Sequence, residues 1–427
     1  MNRPGIERRH FPLWLAVVLL LQPGPVAAVE VATEAGAGLE YSDNLQRAPE
    51  GDEVSDWIRV GRLGGQLEAE RSTLEGNALL NAEYLQYARG TFADEIRGRG
   101  SADLAWHIAP ERLTWRLEDR LSVIEEDSTD PLSPENRQQV NVLSTGPDYR
   151  IRLGGTRYWD SSARLTDVRY SARDTDNQRL GLQTRLGWRP TPRLEGQLAL
   201  EASTARFPEQ GELRDYDRQD LYGRLIRTAA TSRVVLDLGA SRIQRAAGED
   251  VTGGLGRLAW ERQLNPTTEL RVDVAGEYSD SATDLLGRSD GAVRDPSTTE
   301  STADVFFARR AGMRLRRESP RGRLDLDARM EERDYEVAPL DQQRSRLALT
   351  WSLEAGARSR LDLFGHREEY DYDEGREDLD RSLGLRWRTR LRRSVELRLE
   401  GEGAERRSNT GSGYQEGRFL LELRYRG

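Results

Sequence analysis

Apolar and polar residues alternate with a period of two along nearly all of the chain beyond residue 28. Val29, Val31, Ala35, Ala37, Leu39 and Tyr41 share one parity, opposed by Glu30, Glu34 and Glu40. The alternation returns in Leu74–Tyr84, Leu113–Leu121, Leu180–Trp188, Leu270–Tyr278, Leu324–Met330, Leu383–Trp387 and Val395–Leu399. Successive side chains of a strand point to opposite faces, so each run predicts a strand with one apolar and one charged face. A charged amphipathic helix would space its apolar residues by three and four. These segments space them by two and carry internal Gly, which weakens helices further.

The last ten residues repeat the pattern: Phe419, Leu421, Leu423 and Tyr425 on one face, Glu422, Arg424 and Arg426 on the other. These four apolar residues are expected to form the closing strand that the barrel assembly machinery reads. The chain ends in Arg426-Gly427, so Tyr425 takes the terminal aromatic role. Connections alternate in character. Short ones such as Ala109-Pro-Glu-Arg112, Asn265-Pro-Thr-Thr268 and Ser319-Pro-Arg-Gly322 carry turn residues. Long acidic ones run over 42–55, 125–137, 206–217, 279–302, 333–342, 369–378 and 406–415. Short turns on one rim and long loops on the other belong to a bacterial outer-membrane barrel.

Fold and placement follow. The expected fold is all-β: a transmembrane antiparallel up-and-down β-barrel of about 18–20 strands, with short periplasmic turns and longer extracellular loops. Closure is required because an open sheet edge in hydrocarbon leaves backbone groups unpaired. Trp106, Trp188, Trp260, Trp351 and Trp387 fall near short turns, and Tyr41, Tyr84, Tyr87, Tyr278 and Tyr370 near long loops, as two interfacial girdles would. Arg3, Arg8 and Arg9, the apolar run Leu13–Leu21 and Val26-Ala27-Ala28 have the layout of a secretory signal peptide. Residues 1–28 are therefore read as that signal, cleaved after Ala28, and residues 29–427 as the barrel.

Composition narrows the function. The mean hydropathy of −0.75 argues against helical spans, but a barrel hides its apolar face in such an average. Cys is absent, and all 64 basic residues are Arg, so disulfides and thiolate metal sites are excluded. The net charge of −9, with both signs interspersed and no basic block, argues against a nucleic-acid partner. Outer-membrane lipids are the expected surroundings. His107 and His366, the two His beyond the signal, lie in no metal-ligand spacing, so no enzyme, cofactor or metal is expected. The acidic stretches 369–374 and 125–127 read as solvated loops rather than Ca²⁺ sites, lacking the spacing of an EF-hand loop. Parity assigns His107, Arg116, Arg271, Asp273, Asp325, Asp327 and Arg398 to the lumen. About 20 strands enclose more space than side chains fill, so a water-filled lumen is expected, its charges either a selective field or pairs that hold the wall.

Three stretches go further: Gly38-Leu-Glu-Tyr-Ser-Asp-Asn-Leu45; Asn136-Arg137 with Val140–Pro147; and Arg169-Tyr170 with Asp174-Thr-Asp-Asn177 and Arg179. Together they resemble the exosortase/PEP-CTERM-system-associated outer-membrane β-barrel proteins and, more loosely, the barrel porins of exopolysaccharide loci. The resemblance implies a pore associated with exopolysaccharide export or production, with polysaccharide or polysaccharide-export components as partners and no catalytic residues. A non-conducting barrel that binds surface polysaccharide or partner proteins through its loops is the alternative.

Overall fold

A computed structural model describes residues 28–427 except 128, 129, 132, 173, 211–213, 281–303, 338, 339, 374 and 412. The signal segment and its cleavage, and most of the long connection over 279–302, lie outside the described residues. Twenty strands form: β1 (Ala28–Ser42), β2 (Asp56–Glu70), β3 (Leu74–Tyr87), β4 (Glu95–Ala109), β5 (Leu113–Ile124), β6 (Gln138–Arg152), β7 (Arg157–Tyr170), β8 (Asn177–Thr191), β9 (Leu194–Arg206) and β10 (Tyr216–Ala229) make the first half. The second half is β11 (Ser232–Arg245), β12 (Val251–Asn265), β13 (Thr268–Ser279), β14 (Phe306–Ser319), β15 (Gly322–Tyr335), β16 (Gln342–Glu354), β17 (Ser359–Tyr372), β18 (Glu377–Arg392), β19 (Val395–Ser408) and β20 (Tyr414–Arg426).

Each strand pairs antiparallel with its sequence neighbours. Closure comes from β20 lying against β1, with Arg426 opposite Glu34, Glu422 opposite Gly38 and Arg418 opposite Ser42. The sheet therefore has no free side in the membrane, which satisfies its backbone polar groups. The chain forms an all-β transmembrane barrel of 20 strands.

The apolar parity faces outward. Leu63, Leu238 and Leu383 are 66, 61 and 65% exposed, as a surface that meets lipid should be. Phe419, Leu421, Leu423 and Tyr425 belong to this outer face. Trp106, Trp188 and Trp351 stand exposed near short turns. The tyrosines divide differently from the sequence reading. Tyr41 packs on Trp57, ring centroids 5.0 Å apart, and Tyr84 is exposed. Tyr87 and Tyr370 instead project inward and Tyr278 is buried, so a second girdle of all five does not form. Parity decides this: Tyr87 is on the phase of Ile58 and Leu85, not of Tyr84.

Strands also run further than polarity suggested. The connection read over 369–378 is 373–376, and those over 406–415 and 333–342 shrink to 409–413 and 336–341. Their flanking charged residues lie on strands. The acidic Glu369-Tyr-Asp-Tyr segment is thus the end of β17, with Tyr370 and Tyr372 stacked at 6.2 Å.

Candidate functional site

The chemistry of this chain lies on the inner wall. Inward parity gives β10 to β15 a row of opposite charges. Arg224 donates two bonds of 2.7 Å to Asp237. Asp237 also faces Arg257 at 3.4 Å, and Arg257 donates to Glu277 at 2.6 Å. Arg310 lies 3.6 Å from Glu277 and donates to Glu331 at 2.7 Å; Arg333 reaches Glu331 at 3.0 Å. Asp237 and Glu277 are almost wholly buried. Carboxylates so placed need paired cations, and the sequence supplies only Arg, whose planar fork suits bidentate pairing.

Aromatic rings are interleaved with this row. Arg224 and Arg257 lie 5.7 and 5.5 Å from the centre of the Tyr222 ring, and Tyr222 donates its hydroxyl to Glu201 at 2.5 Å. Arg344 covers Tyr370 at 5.0 Å and also pairs with Glu368. Arg386 stacks on Phe364 at 4.7 Å. Such stacking holds guanidinium groups flat against the wall.

The seven predicted lumen residues all lie on the inner face but do not converge. His107, on β4, bonds through Nδ1 to Thr114 Oγ1 at 3.0 Å, with Glu75 3.5 Å from Nε2. Arg116 on β5 pairs with Asp148 at 2.6 Å. Arg271 stands 3.5 Å from Glu261. Asp273 fills the space above Gly312, where a Cβ would meet its Oδ2 at 2.7 Å. Asp325 and Asp327 pair with Arg316 and Arg314, each at 2.9 Å, and Arg398 pairs with Glu400. Near the short-turn rim Glu68, Glu70, Glu75, Asp103, Arg116 and Glu118 border a cavity of about 320 Å³. Among the described residues no group of His, Cys, Asp and Glu is arranged to hold a metal ion.

Two features escaped the sequence reading. The first is the seam. Glu422 on β20 reaches across β1 to Arg62 on β2 at 2.5 Å. Its path is open because Gly36 and Gly38 face it: a Cβ on Gly36 would stand 3.0 Å from Glu422 Oε1, and one on Gly38 would stand 2.8 Å from the Leu421 carbonyl oxygen. The pair of glycines at inward positions of the first strand was the available signal.

The second is the long-loop rim, where the three motif stretches meet the lumen. Asn44 donates to the carbonyls of Ala48 and Gln415 at 2.8 and 2.9 Å, and Arg47 pairs with Glu416 at 2.9 Å, fastening the β1–β2 loop to β20. Asn136 folds the β5–β6 loop on itself, donating to Asp127 and Asp130 carbonyls at 2.6 and 3.0 Å. Arg179 on β8 pairs with Asp280, just beyond β13, at 2.7 Å, and Tyr216 donates to the same carboxylate at 2.7 Å. The β13 end therefore spans part of the rim to reach strands five and three positions away.

No family model matches this chain, and no curated protein does. Solved structures do. A ferric enterobactin receptor, PfeA, in complex with BCV-L6 aligns with a TM-score of 0.50 at 8% identity, covering 92% of this chain and 81% of its own. The FrpB iron transporter from Neisseria meningitidis gives 0.49 at 8% identity over 93 and 81%. The copper transporter OprC gives 0.45 at 10% over 95 and 81%. The likeness is one of fold, and places this chain among barrels of the outer-membrane type.

Proposed function

We propose that this chain is an outer-membrane pore acting in exopolysaccharide export or production. The observation that carries the reading is the inner wall of paired Arg and carboxylate groups interleaved with aromatic rings, from Arg224 through Tyr222 to Glu331. A hydroxyl-rich polymer is matched by dense fixed donors and acceptors, which replace its water, and by ring faces on which sugars stack. The motif stretches that resemble barrels of exopolysaccharide loci support the same reading, since Asn44, Asn136 and Arg179 build the rim a polymer would pass. The test is conductance of the purified chain in planar bilayers. Ohmic steps that fall when the polymer of the producing cell is added are expected; absence of any conductance refutes the pore.

The span from β13 to β8 through Asp280 and Arg179 favours a second reading, a non-conducting barrel that binds surface polymer at its long-loop rim. Polymer binding without conductance would select it.

A further inference from the structure

The outward face of the barrel is charged differently at its two ends. Arg157 opens β7, and Arg227, Arg262 and Arg317 stand within three residues of the short-turn ends of β10, β12 and β14. All four are exposed and take the outward parity. Arg157 lies opposite Trp188, Arg227 opposite Val234 and Arg317 opposite Thr268. Arg262 follows Trp260 on the same face of β12 and stands over its ring, 6.0 Å from the centre. Among the described residues, the outward face of β7 to β14 carries no carboxylate in its short-turn half. The short turns of this sector, 153–156, 192–193, 230–231 and 266–267, add Arg193 and no acid. None of the four outward arginines forms an ion pair with a described residue.

The long-loop end of the same sector is built otherwise. There outward arginines have outward carboxylates beside them: Arg169 with Asp167 at 2.6 Å, Arg206 with Asp217 at 2.6 Å and Arg309 with Asp334 at 2.8 Å. One end balances its own charge, and the other keeps a net positive charge. A guanidinium on the lipid side is costly at mid-membrane and nearly neutral at the interface. Trp159, Trp188 and Trp260 mark that level, because amphipathic rings settle at the membrane boundary. A long stem lets each guanidinium reach from there into the headgroup layer. Its planar donor fork matches two phosphate oxygens. A headgroup with an ammonium beside its phosphate brings no net charge, so an anionic headgroup complements this sector better.

We propose that the outward short-turn end of β7 to β14 is a binding surface for anionic phospholipid, where Arg157, Arg227, Arg262 and Arg317 each hold a headgroup phosphate of the periplasmic leaflet. Lipid fits better than a protein partner: the four arginines share the face and level of the interfacial tryptophans, and they are spread across the sector rather than gathered in one patch. The surface requires the barrel in its membrane and not the pore reading, because lipid binding is measured without conductance.

The experiment is native mass spectrometry of the full chain, purified from membranes in detergent and titrated with phosphatidylglycerol or phosphatidylcholine. Glycerol phosphate is the soluble probe. Preferential retention of phosphatidylglycerol, unaffected by an equal concentration of glycerol phosphate, is expected. Each single exchange to Gln should weaken its site about fivefold. The quadruple variant Arg157→Gln, Arg227→Gln, Arg262→Gln, Arg317→Gln should retain the two lipids equally. Arg169→Gln with Arg206→Gln and Arg309→Gln, at the balanced end, should keep the preference; a loss there equal to that of the quadruple variant overturns the proposal. It is also overturned if the unaltered chain retains both lipids equally, which leaves the sector to a protein partner. Displacement of phosphatidylglycerol by glycerol phosphate overturns it in favour of a soluble anion, and a preference that survives in the quadruple variant overturns it outright. Should that variant fail to assemble, an unchanged preference in every single exchange overturns it.

Discussion

Replacing Glu422 by Gln tests whether a buried charge locks the first strand to the last. The Glu422 side chain is fully enclosed and meets Arg62 at 2.5 Å, Arg424 at 2.8 Å and Arg398 at 3.5 Å. Removing one partner of a buried pair costs about 3–5 kcal/mol when the other is left unmatched. Each of these arginines keeps a second carboxylate: Glu83 at 2.7 Å, Glu34 at 3.2 Å and Glu400. The loss should therefore lie near the lower bound, about 3 kcal/mol, or roughly a hundredfold in the folding constant. Glu83→Gln is the control: its side chain is 29% exposed, and a pair of that kind contributes about 1 kcal/mol or less. Urea unfolding in lipid vesicles, followed by Trp emission, gives both values. Equal losses in the two variants would refute the seam lock, and so would a Glu422→Gln barrel as stable as the unaltered one.

Gly38→Ala should disturb the same seam by a different route, since its Cβ would meet the Leu421 carbonyl oxygen at 2.8 Å; slower closure and a lower unfolding midpoint are expected, and neither should follow from alanine at Gly196, around which the space is open. Leu238→Arg puts a charge on the lipid-facing surface halfway along β11 and should cost about 2–4 kcal/mol in vesicles; an unchanged midpoint would argue against lipid at that face. Phe419→Ser with Tyr425→Ser should reduce the heat-modifiable barrel band in outer-membrane fractions, and normal insertion would remove the C-terminal signal.

Strand existence, parity and the β20–β1 closure were legible because a sheet with one face in lipid imposes a strict period of two. Loop extents were not, because lumen-facing strand residues and loop residues share one composition. Glu369, Asp371 and Asp378 read as loop, yet all three are strand residues. The inward assignment of Arg271, Asp325 and Arg398 needed only parity. Which acid meets which Arg needed register and curvature, as with Arg62 and Glu422, 360 positions apart. Contacts such as Arg179 with Asp280 depend on how the rim folds inward, which no local pattern encodes.

The two glycines of β1 also bear on the register at which the last strand meets the first. A slip of β20 by one residue would turn Glu422 toward the lipid and set Leu421 or Leu423 against the Gly36–Gly38 gap. A slip by two keeps the faces correct but brings Leu420 or Arg424 opposite Gly38, leaving Arg62 without its third-strand carboxylate. The charge that spans the gap therefore distinguishes the right register of closure from its nearest errors.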